Sequence, residues 1–267
     1  VSKPQPEGLR MNRILRIGLI SIGVVLGLVI LFVAVMYFSL QREVSKMKSV
    51  GTQEITENVY IIQNIAPAGG SVYMYLVKSG DHYLAIDAGA APDLVQPEFD
   101  KLNIDPQDVA VVLLTHTDTD HIGALSLFNN AAIYISEAEE QMIDGRTARF
   151  MNSYNTLDYD YTIITDGQVT DLLGLKVEGV LTPGHTPGSM SFIIDDKYLF
   201  VGDTMGLDKG EAYTGSGLFA LLIYYMDRDA QNESMQKLAN LNGIEYLFTG
   251  HHGYTSDLAT TFAGWNQ

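Results

Sequence analysis

An α/β domain carried behind one N-terminal membrane-spanning helix is the fold class that this sequence predicts. Residues 17–40 run for 24 residues without a charge, enough to cross the ~30 Å hydrocarbon core at about 1.5 Å rise per residue. Beyond residue 50, short apolar segments of period 2 interleave with segments of helical spacing. The unbroken apolar hexamer 109–114 reads as a strand buried on both faces, and it runs straight into His116, Asp118, Asp120 and His121.

Taken from the start, residues 1–16 form a basic lead-in in which Met11 reads as the natural start. Lys3, Arg10, Arg13 and Arg16 precede the apolar span, and Arg42, Lys46 and Lys48 follow it. A single span with basic residues ahead of it predicts a signal anchor: single-pass in the cell membrane, with the folded domain on the extracytoplasmic side. A cleaved signal peptide is the alternative. Its apolar region is usually about 7–15 residues long and ends in a small-x-small site, which Tyr37-Phe38-Ser39-Leu40 does not supply. Residues 41–51 would be the tether and 52–267 the domain.

Residues 59–62, 72–77 and 83–87 are rich in β-branched and aromatic residues and predict the strands of a first sheet. A helix is expected over 92–103, with Pro92 near its start. Helices are also expected over 121–128 and over 136–150, the latter with Ser136 as N-cap and Glu139 as its capping-box partner. Tyr154, Tyr159 and Tyr161, interleaved with Asn155, Asp158 and Asp160, form a polar aromatic loop that reads equally as pocket wall or plain surface. Segments 168–173 and 175–181 predict one hairpin, and 189–195 and 198–201 a second, turned at Asp195-Asp196-Lys197. The glycine-rich stretch around Tyr213 leads into nine apolar residues, 218–226, read as a buried helix; a mobile lid or a patch dipping into lipid is the alternative. A terminal helix is expected over 257–265.

Composition narrows the partners. Residues 41–267 hold 12 Lys and Arg against 31 Asp and Glu, a formal charge of −19. Such a field repels phosphate polymers, so no nucleic-acid partner is expected, and a small neutral or cationic substrate is favoured. Zero cysteines exclude disulfides and thiolate chemistry, and leave any metal to His and carboxylate ligands. Oligomeric state is not encoded in any of these patterns.

Five of the six histidines lie in four fragments, each following an apolar run: 116–121, the Pro-Gly-His-Thr-Pro-Gly stretch around His185, Gly202-Asp203-Thr204, and Gly250-His251-His252-Gly253. His82 alone lies elsewhere and reads as a structural histidine. The order H-x-D-x-D-H, then His, then Asp, then His resembles the metallo-β-lactamase-fold hydrolases, with glyoxalase II-like or lactonase-like wording around His185. The resemblance covers roughly residues 52–267 and implies a four-layer αββα sandwich. It departs from the family at Asp118, where a second His is usual, although the metallo-β-lactamase-like domain of DNA-uptake channel proteins carries a similar Asp. The resemblance does not extend to the second domain of full-length glyoxalase II.

The resemblance implies two metal ions, zinc first, with manganese or iron as harder alternatives. His116, Asp118 and His185 would hold one ion; Asp120, His121 and His251 the other; Asp203 would bridge. Asp120 would also orient the attacking water and relay its proton, with His252 facing substrate as a donor. Asp87, in an I-D-x-G-like turn, would brace the metal loop. Two readings of Asp118 stand: ligand, or solvent-facing beside a single ion. As a ligand it would add negative charge and weaken the Lewis acidity of the first site. No arginine is seen near these motifs to clamp a carboxylate. The implied activity is hydrolysis of a small ester, thioester, lactone or amide by metal-activated water. A phosphodiesterase or nuclease, an iron-dependent persulfide dioxygenase and a non-catalytic metal-binding module are the alternatives.

Overall fold

The computed structural model describes residues 13–65, 69–149 and 152–265. Most of the basic lead-in, with Met11, lies outside them. The first element is helix α1, Arg13–Val44, 32 residues in length. It is long and apolar enough to cross a membrane. Its β-branched residues would favour strand in a half-buried sheet, but a segment in hydrocarbon must satisfy its own backbone, which a helix does.

Two sheets follow. Strands β1 (Gln53–Thr56), β2 (Val59–Ile65), β3 (Ser71–Ser79), β4 (His82–Ile86), β5 (Val109–Leu113), β6 (Ala132–Ser136) and β7 (Tyr161–Ile164) are neighbours in that order. Pairing is antiparallel from β1 to β4 and parallel from β4 to β7. The second sheet contains β8 (Val169–Leu172), β9 (Leu175–Leu181), β10 (Met190–Ile194) and β11 (Tyr198–Phe200), then β14 (Tyr246–Phe248) and β15 (Tyr254–Thr255). Between β11 and β14 a small hairpin, β12 (Gly206–Asp208) and β13 (Glu211–Tyr213), stands apart from both sheets.

Period-2 alternation decides which residue faces which layer. Tyr73, Tyr75 and Val77 of β3 and Leu84 and Ile86 of β4 pack between the sheets against Phe192, Phe200 and Phe248. Their alternates Met74, Leu76 and Ala85 face outward onto Val95 and Phe99 of helix α2, Pro92–Leu102. On the far side, Leu199, Val201 and Leu247 pack on Met235 and Leu238 of helix Arg228–Ala239. This is the αββα sandwich, with the N-terminal apolar helix preceding it. Both expected hairpins form, and Asp195 and Asp196 adopt positive φ at the second turn.

Several expected helices are shorter. Over 121–128 the chain makes one turn, Thr119–Ile122, then a 3-10 turn, Leu125–Leu127. Gly123 lies so close to the Ala90 carbonyl that no Cβ fits there. Over 136–150 the helix ends at Ile143, and Gly145 turns the chain at φ +83°. Ser136 does cap, accepting from the Glu139 amide, but the Glu139 side chain turns into the core rather than back onto the cap. The apolar run 218–226 is a short helical segment rather than a buried helix: Ala220 and Tyr225 are buried, while Leu221 and Leu222 are 54% and 45% exposed. The terminal helix shrinks to Leu258–Thr261, capped by Asp257. His82 is exposed at the start of β4.

Candidate metal centre

Four strand ends converge at one edge of the sandwich, because β5, β9, β11 and β14 each hand the chain to a loop at that edge. The β5 loop supplies His116, Asp118, Asp120 and His121. The turn ahead of β10 supplies His185, the turn after β11 Asp203, and the turn after β14 His251 and His252. Asp118 and His185 approach to 3.0 Å, Asp203 and His251 to 3.0 Å, and His121 and Asp203 to 3.4 Å. Asp203 also lies 3.6 Å from His185, and Asp120 3.6 Å from His251. Among the described residues three groups can each hold a cation: His116, Asp118 and His185; His116, His121 and Asp203; and Asp120, His121 and His251. The seven residues that the resemblance implies as ligands are thus brought together.

Three histidines are held in the tautomer that a metal needs. His121 Nδ1 lies 2.8 Å from Asp87, and His251 Nδ1 lies 2.7 Å from the Ser71 carbonyl. His116 Nδ1 lies 2.9 Å from Thr115 Oγ1, whose own hydroxyl donates to Asp87. With Nδ1 donating in each, Nε2 is the nitrogen left facing the cluster, available to a metal once it gives up its proton. Asp87 therefore braces the metal loop, at positive φ (62°), through both Thr115 and His121. The Asp203 carboxyl, raised by burial, is pulled well below the usual carboxylate range by His251 and His121. Burial lowers His251, but Asp203 and Asp120 take it up to about 9. The buried atoms His116 Nε2, His121 Nε2 and Asp203 Oδ1 have no hydrogen-bond partner. Unpaired polar atoms at such depth are costly, and divalent cations held among these groups would satisfy all three. The donor set fits a metal. Gly250 is required here, since a Cβ would collide with the Asp203 carboxylate.

His252 stands apart from these groups. Its Nε2 is buried and unpartnered, and its ring lines the pocket in front of the cluster. Burial, His251 and Lys46 push it down to about 4, so it is neutral at neutral pH.

Arg149 is the residue that sequence reasoning missed. Its Nε donates to both Asp118 oxygens at 3.0–3.1 Å, and its Nη2 lies 3.1 Å from His185 Nε2. The carbonyls of Ile223 and Tyr224 fix the rest of the guanidinium. Burial raises the Asp118 carboxyl, but His185, His116 and Arg149 hold it well below its ordinary value. The expectation of an arginine-free site is corrected, and with it the charge argument. Asp118 and Arg149 together are neutral, as an imidazole is, so Asp118 does not by itself make the first site more negative than the usual His. Asn155 also donates to Asp118, at 3.0 Å. In the aromatic loop it is Ser153 and Asn155 that line the pocket, while Tyr154 and Tyr159 are exposed and Tyr161 opens β7.

Beneath the loop, Glu139 accepts from Thr117 N and Oγ1 and from Thr186 Oγ1, tying the His116 loop to the His185 turn. Burial raises its carboxyl to about 7 against those bonds. The unfolded value is about 4.3, so the native state binds the extra proton between about pH 4.3 and 7. Stability on this account is greatest below that window and falls as pH rises through it, by about 3 kcal/mol. In metal-free protein, Glu139→Gln should match wild type near pH 4.5 and gain about 6–10 °C in Tm over it at pH 8. Thermal unfolding at both pH values checks this; an equal Tm difference at the two would contradict it.

The fold and this edge cluster define a metal-centred α/β sandwich, and comparison with known proteins supplies the family. A sequence profile described as "Metallo-beta-lactamase superfamily" matches residues 67–251, and the chain belongs to that superfamily. It is 27% identical over 197 residues to a hydroxyacylglutathione hydrolase of Glaesserella parasuis, covering 72% of this chain and 70% of the relative. It is 29% identical over 140 residues to a probable polyketide biosynthesis zinc-dependent hydrolase of Bacillus velezensis, covering 51% of this chain and only 56% of that protein. Among solved structures, a B3 metallo-beta-lactamase described as having an active-site glutamic acid superposes with a TM-score of 0.59 at 18% identity, over 85% of this chain and 91% of that one. At that identity the likeness concerns the fold. Both relatives are named as hydrolases, one of them as probably zinc-dependent, which supports metal-dependent hydrolysis at the level of the family.

Proposed function

We propose that the chain is a membrane-anchored hydrolase holding two divalent metal ions, zinc in the first instance, that cleaves a small ester, thioester, lactone or amide. The observation that carries this reading is the convergence of three unpartnered buried atoms, His116 Nε2, His121 Nε2 and Asp203 Oδ1, in overlapping ligand groups on either side of Asp203. His116, Asp118 and His185 would hold one ion, Asp120, His121 and His251 the other, and Asp203 both. Bound there, the ions would acidify water and polarise a carbonyl.

The protein's own groups then have distinct tasks. Asp120 is the ligand-group carboxylate most open to the pocket, so it can take a proton from water and pass it to a leaving group. His252, neutral, can donate one N–H to a substrate oxygen. Thr115, Asp87 and Ser71 keep the ligand rings from rotating. The pocket, about 340 Å³, is lined by Phe219, Ala220, Ile223, Tyr224 and Tyr225 on one wall, which suits an apolar acyl group and excludes water. The acidic domain favours a small neutral or cationic substrate over nucleic acid.

Chelator-sensitive turnover of an ester, thioester and lactone panel tests the activity; absence of turnover across a zinc-, manganese- and iron-loaded series would contradict it. His252→Gln should reduce turnover about 10- to 100-fold with metal content unchanged. Loss of metal in that variant would make His252 a ligand rather than a donor.

A further inference from the structure

The membrane helix does not merely precede the domain. Burial along its last turns recurs at Met36, Ser39, Leu40, Glu43 and Val44, the period of one helix face, and again at Met47 just past its end, and that face lies against the metal pocket. Leu40, Glu43, Val44 and Met47 line the same cavity as Asp118, Asp120, His185, Asp203 and His251. The join is built from specific contacts. Ser39 Oγ accepts from the Phe219 amide at 2.9 Å, and Gly217 lies so close to that hydroxyl that a Cβ would crowd it. Glu43 accepts from Tyr213 Oη at 2.6 Å and from Ser216 Oγ at 3.1 Å. Lys46 sits 3.5 Å over the Tyr213 ring and 3.7 Å from Asp208.

These contacts set a distance. The uncharged span ends at Leu40, and the last lining residue on this stretch is Met47. Helix α1 runs four residues past Leu40, about 6 Å, and Met47 follows three residues after its end, which puts the mouth of the pocket close to the end of the uncharged span. The facing wall is the segment carrying Phe219, Ala220 and Ile223, joined to the helix through Phe219 and Ser39, and its neighbours Leu221 and Leu222 are exposed. Exposed leucines at that depth have an apolar medium to enter.

We propose that the substrate is a membrane-resident amphiphile, a long-chain acyl ester, thioester or lactone with a neutral or cationic headgroup, whose acyl chain enters between helix residues Leu40, Val44 and Met47 and the 219–223 wall. The proposal rests on the hydrolase reading and deepens it. In the reaction, water adds to the acyl carbon and the bond from that carbon to oxygen or sulfur breaks. The products are a fatty carboxylate and an alcohol or thiol, or for a lactone a single hydroxycarboxylate, the leaving oxygen or sulfur taking a proton. The −19 formal charge of residues 41–267 disfavours anionic headgroups at the same mouth.

The test uses the full metal-loaded chain in phosphatidylcholine nanodiscs with 4-nitrophenyl esters from acetyl to tetradecanoyl. The expected result is a kcat/KM at least about tenfold higher for dodecanoyl than for acetyl, well within the transfer free energy of ten methylenes. Val44→Gln and Met47→Gln should reduce that ratio severalfold, through KM. Equal rates at all chain lengths, or a ratio insensitive to both substitutions, would overturn the proposal while leaving the hydrolase reading intact. No turnover of any ester, thioester or lactone would overturn the hydrolase reading, and this proposal with it. A readout independent of turnover is photolabelling by a non-hydrolysable dodecyl ether bearing a terminal diazirine, mapped by mass spectrometry. Labels on 40–47 and 219–223 support the proposal; labels confined to 15–38 overturn it.

Discussion

Asp203→Ala is expected to abolish turnover and to reduce bound metal from two ions per chain to one or none. Asp203 is buried and touches His121, His185 and His251, so no water can replace its carboxylate without a rearranged cluster. Changes merely to the groups that orient ligands cost about 10- to 100-fold in affinity, and loss of a bridging carboxylate should cost more. Elemental analysis of the purified variant beside wild type checks this. Retention of two ions would remove Asp203 from the ligand set.

Arg149→Met is expected to act in opposite directions on the metal-free and the metal-loaded protein. Without metal, Asp118 loses its guanidinium partner in a largely buried setting, and breaking such a pair costs about 3–5 kcal/mol. For a domain of this size that is roughly a 6–15 °C fall in Tm. With metal, the withdrawn positive charge no longer opposes a cation held by His116, Asp118 and His185, so affinity there should rise tenfold or more, since Arg149 lies 3.0–3.1 Å from two of those ligands and like charges that close repel appreciably even at an effective dielectric of about 20. Calorimetric unfolding with and without zinc, and a competition titration, measure both halves. A fall in affinity would mean that Arg149 supports the first ion through the orientation of Asp118 and not through charge.

The sequence made the ligand edge legible because each ligand follows a run of apolar residues that can only be a buried strand. Val109–Leu113 placed the first four ligands, and the tight Asp195-Asp196 turn fixed the hairpin that presents Asp203. The tautomer-holding partners were partly visible: Asp87 by its turn, but not Thr115 or the Ser71 carbonyl, which meet the ligands only across strands. Arg149 left no signal, since it reaches Asp118 from a loop that begins where the short helix ends at Ile143. Helical spacing over 121–128 and 136–150 misled because close approach at Gly123 and the reversal at Gly145 are tertiary facts. Strand β6 and helix Arg228–Ala239 passed unnoticed, the first lying inside a stretch bounded by stronger helix signals, the second presenting only a narrow apolar stripe at Met235 and Leu238. Docking of the helix end on the pocket was likewise invisible, because Glu43 and Tyr213 are 170 residues apart.

The most direct test of the account is the metal content of the full chain, purified in detergent without chelator or added metal and measured by elemental analysis against protein concentration. Two divalent ions per chain are predicted, falling to one or none in Asp203→Ala. A single ion in the wild type, unchanged by loss of Asp118, would contradict the two-ion centre and leave Asp118 as the partner of Arg149 alone.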